Sequence, residues 1–344
     1  MPELPEVETV ARDLRGLVVG ARIDGASVSW PRTLRNLSPE AFDAAVRSRR
    51  IEAVGRRGKQ LVVDLSDAAA LTIHLKMTGQ LFVVPRERPV DQYVRLVLHL
   101  ADGRDVRFRD IRKFGRFGFY EGLDDPLAEL GAEPLDDEFT LRAFRRLIRG
   151  RRGRLKPLLL DQTFLAGVGN IYADEALWRA RLNPLRSAAS LRRPDEARLH
   201  RAIRDVLAEA VEHRGSSIDD YTAPEGDGEM QERLDVYGRT GQACRRCGRP
   251  IRRIVVGGRA THFCSWCQRL SERDRRAAAR ILAGIEPRGG GIAGARRHGR
   301  RWAELDAGEG ATGLTPAELS RQRSERTRRA AATRRAAARA GAGT

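Results

Sequence analysis

Two groups of residues in this sequence have the type and spacing for chemistry, and they lie far apart along the chain. The first is Cys244-x2-Cys247-x16-Cys264-x2-Cys267. Two Cys-x2-Cys knuckles at this separation suit a tetrahedral Zn²⁺ held by four thiolates. Four protein ligands leave no open position for water, so the site is expected to be structural. One zinc would fold the intervening Ile251 to Phe263 as a β-hairpin. Zinc ribbons serve many functions, and the motif alone names none. The second group is Pro2-Glu3. An internal proline nitrogen is a tertiary amide and no nucleophile. At position 2 it becomes a secondary amine once Met1 is removed. An α-amino group titrates at about 8 against about 10.4 for lysine, so more of it is neutral near pH 7. A neutral amine can attack a sugar C1′ and form an iminium, with Glu3 beside it to carry protons. Prolines at position 2 also occur with no chemical role, and this feature alone does not separate the two.

A third stretch, Arg107-Phe108-Arg109-Asp110-Ile111-Arg112-Lys113-Phe114-Gly115-Arg116, interleaves cations with aromatics. Cations bind phosphates while an aromatic stacks on or wedges between bases. The same pattern fits a solvated strand with one core aromatic. Met77, in Lys76-Met77-Thr78-Gly79, offers either a flexible apolar side chain at a turn or a core residue.

These residues need elements to position them. The 344 residues allow two domains and a sizeable core. Residues 1–135 read as mostly β. Leu71-Thr72-Ile73-His74-Leu75 alternates apolar and polar, Leu61 to Leu65, Val94 to Leu100 and Val106 to Arg109 are similar, and Ala101-Asp102-Gly103 is a turn. One helix precedes them, with Pro5 in its first turn and Glu6 and Glu8 favourable there. From Thr140 to about Arg214 the pattern is helical. In Asp195–Arg214 the apolar positions 199, 203, 206, 207, 210 and 211 form one stripe. Between helices, Gly167-Val168-Gly169-Asn170 reads as a tight turn with Asn170 as the N-cap.

Charge points to a partner. Lys and Arg total 64 against 46 Asp and Glu, a net charge of +18, which favours an anionic polymer, nucleic acid first. Residues 271–344 hold 17 Arg and 8 acids, a net +9 with few large apolar groups, and read as a disordered basic tail. No run of about 18 apolar residues spans a membrane. The acidic start has no apolar core and argues against a signal peptide. Four cysteines confined to 244–267 suit a reducing cytoplasm.

Taken together, these residues resemble the formamidopyrimidine-DNA glycosylase family, which excises oxidised purines and cuts the resulting abasic site. The resemblance rests on Met1-Pro2-Glu3-Leu4-Pro5-Glu6-Val7-Glu8-Thr9, on Gly167-Val168-Gly169-Asn170-Ile171-Tyr172-Ala173, on Val236-Tyr237-Gly238-Arg239 and on the zinc segment ending His262-Phe263-Cys264. The motifs keep their order over about residues 1 to 270. The resemblance implies a multidomain α+β fold: an N-terminal β-sandwich with a leading helix (1–135), a helical helix–two-turn–helix domain (136–240), a zinc-finger β-hairpin (241–270) and the tail (271–344). It implies a monomer that takes double-stranded DNA carrying oxidised bases or abasic sites into the cleft between the first two.

By the same resemblance, Pro2 is the Schiff-base nucleophile, Glu3 the general acid/base, and Lys59 a proton donor near the lesion. Arg259, on the zinc hairpin, grips phosphate and assists the second elimination. Met77, Arg112 and Phe114 fill the gap left by a flipped nucleotide, which chemistry at C1′ requires. Lys156, Asn170 and Tyr237 match phosphate-contacting positions, as do His74 and Arg151. Departures are Ile111 where many relatives have proline, Asp91-Gln92-Tyr93 in place of a His-x-His, and an acidic loop from Thr222 to Met230 where the family carries its lesion-covering lid. Two alternatives remain: the sister endonuclease VIII-like activity on oxidised pyrimidines, and a noncatalytic zinc-ribbon DNA-binding protein. Leu4 favours the purine branch, since the sister group typically has glycine at the fourth position, and Pro2-Glu3 argues against the noncatalytic reading.

Overall fold

The computed structural model describes residues 1–121, 127–216 and 228–283. Helix α1 (Leu4–Val18) opens with the backbone N–H of Glu3 donating to Glu6 Oε2 at 2.8 Å, a cap made by the helix's own first turn. Its buried positions Leu4, Val7, Val10, Ala11, Leu14 and Val18 recur every three or four residues, so one stripe faces inward. That stripe serves two cores. Val7 to Val18 pack into the sandwich, while Leu4 packs among the helices that follow.

The sandwich consists of two four-stranded antiparallel sheets. After β1 (Ile23–Val28) and α2 (Pro39–Val46) come β2 (Ile51–Arg57), β3 (Gln60–Leu65), β4 (Ala69–His74), β5 (Gln80–Pro85), β6 (Val94–Leu100), β7 (Arg104–Arg109) and β8 (Arg116–Glu121). The sheet orders are β1-β6-β7-β5 and β2-β3-β4-β8. Leu61, Val63 and Leu65 alternate inward from β3, and Leu96, Leu98 and Leu100 do so from β6. Phe108 and Phe117 meet edge to face at 5.0 Å, joining the sheets at the end nearest the site. Helix α2, which the sequence reading did not anticipate, is capped by Ser38 and buries only Phe42 and Val46; it is too short for a clear period.

The helical unit comprises α3 (Leu141–Ile148), α4 (Leu155–Leu160), α5 (Asn170–Arg179), α6 (Arg193–Glu212) and α7 (Met230–Arg233). The expected stripe of α6 is buried along its whole length. Two consecutive turns over 161–169 join α4 to α5, with Phe164 and Leu165 N–H both donating to Asp161 O at 3.0 Å. The hairpin β9 (Arg252–Val256) and β10 (Arg259–Phe263) turns at Gly257-Gly258, whose φ of +57° and +72° suit a two-residue turn with both residues left-handed.

Two expectations are corrected. Asn170 is the first residue of α5, and Gly169 is its N-cap. The basic segment does not begin as disordered chain at 271. Ser271 caps α8 (Glu272–Ala277), and α9 (Ala279–Leu282) follows. Ala278, Ile281 and Leu282 pack with Ile254, Val256 and Phe263 on the zinc hairpin. These few apolar residues lie at the junction of the two short helices and in α9, and the charged composition around them hid that signal. The expectation for the rest of the tail, 284–344, lies outside the described residues, as does most of the Thr222 to Met230 loop. Among the described residues no helix is long and apolar enough to cross a membrane.

Candidate active site

A cavity of about 640 Å³ opens where α1 begins, lined among others by Pro2, Glu3, Lys59, His74, Met77, Asn170, Tyr237 and Arg259. Residues from the amino end, the sandwich, the helical unit and the zinc hairpin thus converge, although up to 257 positions separate them in the sequence.

Glu3 is the centre of the arrangement. Its carboxylate takes the place of an N-cap side chain on α5: Ile171 N–H donates to Oε1 at 2.9 Å and Tyr172 N–H to Oε2 at 3.4 Å. Gly169 makes room for this. A Cβ at that position would overlap the Glu3 carboxyl group. Leu4 N–H completes the seam by donating to Gly167 O at 3.0 Å. Glu3 is 2% exposed, and burial raises its pKa, opposed chiefly by the positive charge of Lys59. Lys59 is buried too, and burial lowers its pKa, with Glu3 and Glu6 pulling the other way and Arg259 and Lys76 pushing it further down. A carboxyl and an amine whose pKa values move toward one another are suited to proton transfer.

Lys59 sits on the β2–β3 turn, which is braced from below. Gly58, with φ +58°, donates its N–H to buried Glu133, and Glu133 also pairs with Arg56 at 2.8 Å. His74 ends β4. Its Nδ1 accepts from Lys76 N–H at 3.1 Å, and burial, reinforced by Lys76, lowers its pKa to about 3. The ring is therefore neutral with its proton on Nε2, a donor without a charge.

The remaining expected residues divide. Met77 and Tyr237 reach the cavity, and the Tyr237 ring meets His262 edge-on at 4.9 Å. Arg259 follows the Gly-Gly turn and is exposed. Asn170 lines the cavity but spends its Nδ2 on Ala260 O at 3.0 Å, tying α5 to the hairpin. Arg112 and Phe114 stand outside the lining on the β7–β8 turn. Phe114 is 46% exposed and the Arg112 guanidinium lies 5.4 Å from its ring. Buried Asp110 holds that turn by accepting from Arg112 N–H at 3.1 Å, Gly115 N–H at 2.7 Å and the Thr78 hydroxyl. Arg107 and Arg109 of the same stretch are buried and ion-paired, Arg107 with buried Asp105 and Arg109 with exposed Asp91, so the structural reading holds for them. Arg151 is exposed and lies over Phe164, away from the cavity.

Lys156 is a further correction. It is fully buried, with Nζ donating to Asp174 Oδ1 at 2.6 Å and to Asn170 O at 2.9 Å. An amine enclosed this way cannot meet a phosphate. It anchors Asp174, whose other oxygen accepts His262 N–H at 2.8 Å, and so links α4, α5 and β10. Sequence reading also missed Glu6 as a buried acceptor. It receives the Tyr172 hydroxyl and, at 2.8 Å, Ser216 N–H, as well as the Glu3 N–H. Its place in the first turn of α1 matched a dipole role well enough to conceal this one.

The four cysteines gather as expected. Their sulfur atoms lie within 4.8 Å of one another, Cys244 to Cys267 at 4.0 Å and Cys247 to Cys264 at 3.5 Å. Tetrahedral Zn²⁺ with Zn–S of about 2.3 Å puts sulfurs about 3.8 Å apart, so the set fits one structural zinc.

Fold and site define a zinc-hairpin, helix–two-turn–helix protein whose amino end is lodged between a β-sandwich and a helical unit. Comparison with known proteins specifies it further. A sequence model described as the formamidopyrimidine-DNA glycosylase N-terminal domain matches residues 1–117, one described as that enzyme's H2TH domain matches 130–222, and a zinc finger found in FPG and IleRS matches 241–270. The formamidopyrimidine-DNA glycosylase of Herpetosiphon aurantiacus is 48% identical over 272 residues, covering 78% of this chain and 100% of that one. Its counterpart in Pelotomaculum thermopropionicum is 44% identical over 275 residues, with 78% and 100% covered. A Lactococcus lactis Fpg variant in complex with DNA containing Fapy-dG superposes with a TM-score of 0.74 at 36% identity, covering 78% of this chain and 100% of that one. MutM (Fpg) from Thermus thermophilus superposes at 0.70 with 46% identity, covering 78% and 98%. The chain belongs to the formamidopyrimidine-DNA glycosylase family.

Proposed function

We propose that this chain is a DNA glycosylase and abasic-site lyase of base-excision repair that removes oxidised purines such as 8-oxoguanine and formamidopyrimidines. The observation that carries this reading is Glu3, buried with a raised pKa and fixed to α5 directly beside Pro2. With Met1 removed, the Pro2 nitrogen bonds to C1′ of a flipped nucleotide as the glycosidic bond breaks, and the base leaves with the bonding pair, taking up the proton that the Pro2 nitrogen sheds. Glu3 protonates O4′ as the sugar ring opens, leaving an iminium between Pro2 and C1′. Loss of a C2′ proton then expels the 3′-phosphate, a second elimination expels the 5′-phosphate, and water frees Pro2.

Lys59 shares protons with Glu3 at the lesion. Neutral His74, Asn170, Tyr237 and Arg259 hold the backbone, with Arg151 as an outlying cation. Met77, Arg112 and Phe114 replace the flipped nucleotide in the stack. Lys156 positions Asn170 from beneath. The chain acts as a monomer on double-stranded DNA, at the nucleoid in the cytoplasm. Borohydride trapping on an 8-oxoguanine duplex tests the chemistry. The expected crosslink maps to Pro2 and is lost when Met1 is retained, while Pro2→Gly, which keeps a free amine, impairs base release; a crosslink at Lys59 overturns the assignment.

A further inference from the structure

Several arginines of the sandwich are matched with carboxylates, for example Arg47 with Asp43 and Arg49 with Glu121. Others are not, and five cations without such a partner lie together. Lys76, at the end of β4, Arg116, at the start of β8, and Arg32, Arg35 and Lys113 beside them have no ion pair among the described residues. The topology gathers them. Arg116 lies opposite His74 across β4–β8, and Leu34 bridges Phe117 on the far side of β8, with Arg35 N–H donating to Phe117 O at 2.8 Å. The cations therefore continue, strand by strand, from Lys59 and His74 across one end of the sheet.

Their placement is fixed. Lys113 is held at φ +59° and Lys76 at φ +57°, left-handed conformations that cost a non-glycine residue of order 1 kcal/mol or more. At that φ, Lys113 Nζ rests 4.2 Å from the centre of the Trp30 ring, with the Arg32 guanidinium 5.8 Å from the same ring. Arg116 folds over the turn onto Gly115 O at 2.8 Å. Lys76 already titrates low because of burial and then the repulsion of Arg35 and Arg116. Like charges crowded together without carboxylates are stabilised by an external polyanion.

We propose that Arg32, Arg35, Lys113 and Arg116 form a phosphate track that grips the DNA duplex beyond the catalytic cleft. The inference rests on the DNA-repair reading. Three strand spacings, from β3 through β4 and β8 to the Leu34 segment, span about 14 Å. At a rise of about 3.4 Å per base along one strand, this end of the sheet matches about four nucleotides. Trp30 serves as the platform that keeps Lys113 extended, and Asp110 fixes the turn from inside.

The test is a salt series of binding to an undamaged duplex. Each phosphate contact contributes about 0.9 to the log–log slope, so the triple variant Arg32→Ala, Arg35→Ala, Lys113→Ala should lose about 2.7 from it. The charge-preserving set Arg32→Lys, Arg35→Lys, Lys113→Arg should keep the wild-type slope. An unchanged slope in the alanine variant, or an equal loss in both variants, overturns the track. Single-turnover excision from an 8-oxoguanine duplex at saturating enzyme should match wild type in either variant. Failure of the wild-type protein to excise would refute the enzymatic reading, and the slope comparison would still decide the track.

Discussion

Gly169→Ala is the sharpest probe of the site. The backbone at 169 has φ −127°, which any residue can adopt, so space alone demands glycine. An added Cβ would overlap the Glu3 carboxyl carbon and stand 2.6 Å from its Cγ, closer than real Cβ contacts come. The carboxylate must swing away and release Ile171 N–H and Tyr172 N–H. Losing a cap costs about 0.5–2 kcal/mol, and a hydrogen bond to a charged group about 1.5–3 kcal/mol. Both figures describe the same interaction, so a net destabilisation of about 1–3 kcal/mol follows. Glu3 displaced by about 1 Å should slow base excision on the order of 100-fold. Denaturant unfolding and single-turnover excision measure the two effects. The clash is with Glu3 alone, so adding Gly169→Ala to Glu3→Ala should cost little further stability. Wild-type excision by Gly169→Ala, or fully additive losses in the double variant, would refute the capping argument.

Other outcomes follow from the same geometry. His74 stays neutral to about pH 3 in the folded protein but protonates near about 6.5 when unfolded. Its contribution to stability is complete above about pH 6.5 and declines toward pH 3, by up to about 1.4 kcal/mol per pH unit. His74→Asn should flatten that acid limb in urea titrations, and an identical limb would sink the idea. Cys244→Ser should lose its zinc by metal analysis and weaken DNA binding, because thiolate–zinc bonds fold the hairpin that carries Arg259; full metal content would contradict this. Truncation after residue 283 is the reference. Truncation after residue 270 should destabilise the hairpin by about 2–4 kcal/mol through exposure of Ile254, Val256 and Phe263. Equal melting temperatures for the two would show that α8 and α9 brace nothing.

Legibility in the sequence followed the range of the signal. The strands around Leu61–Leu65 and Val94–Leu100, the stripe of α6 and the four-cysteine set are all periodic or local, and each could be read from residue types. Membership of the family was legible because several short motifs kept their order. Lys156 was misplaced because a lysine at a matching position says nothing of its exposure; only the fold shows Asp174 and the Asn170 carbonyl closing over it. Asn170 met every local rule for an N-cap, yet the group that caps Ile171 N–H arrives from Glu3, 168 positions before Ile171. Glu6 and Glu133 escaped notice for the same reason. A buried carboxylate declares itself by the backbone N–H groups that converge on it, and those lie on other elements.

The cap that Glu3 places on α5 also orders events in time. The amino end leaves the ribosome first, but its acid acquires a fixed position only when Ile171 and Tyr172 have been made and folded into a helix. Arg259 and the zinc thiolates come later still. A nascent chain, or a fragment lacking its second half, carries Pro2 and Glu3 without the elements that position them. The site is complete only once the chain has grown past Cys267, the last of the zinc thiolates.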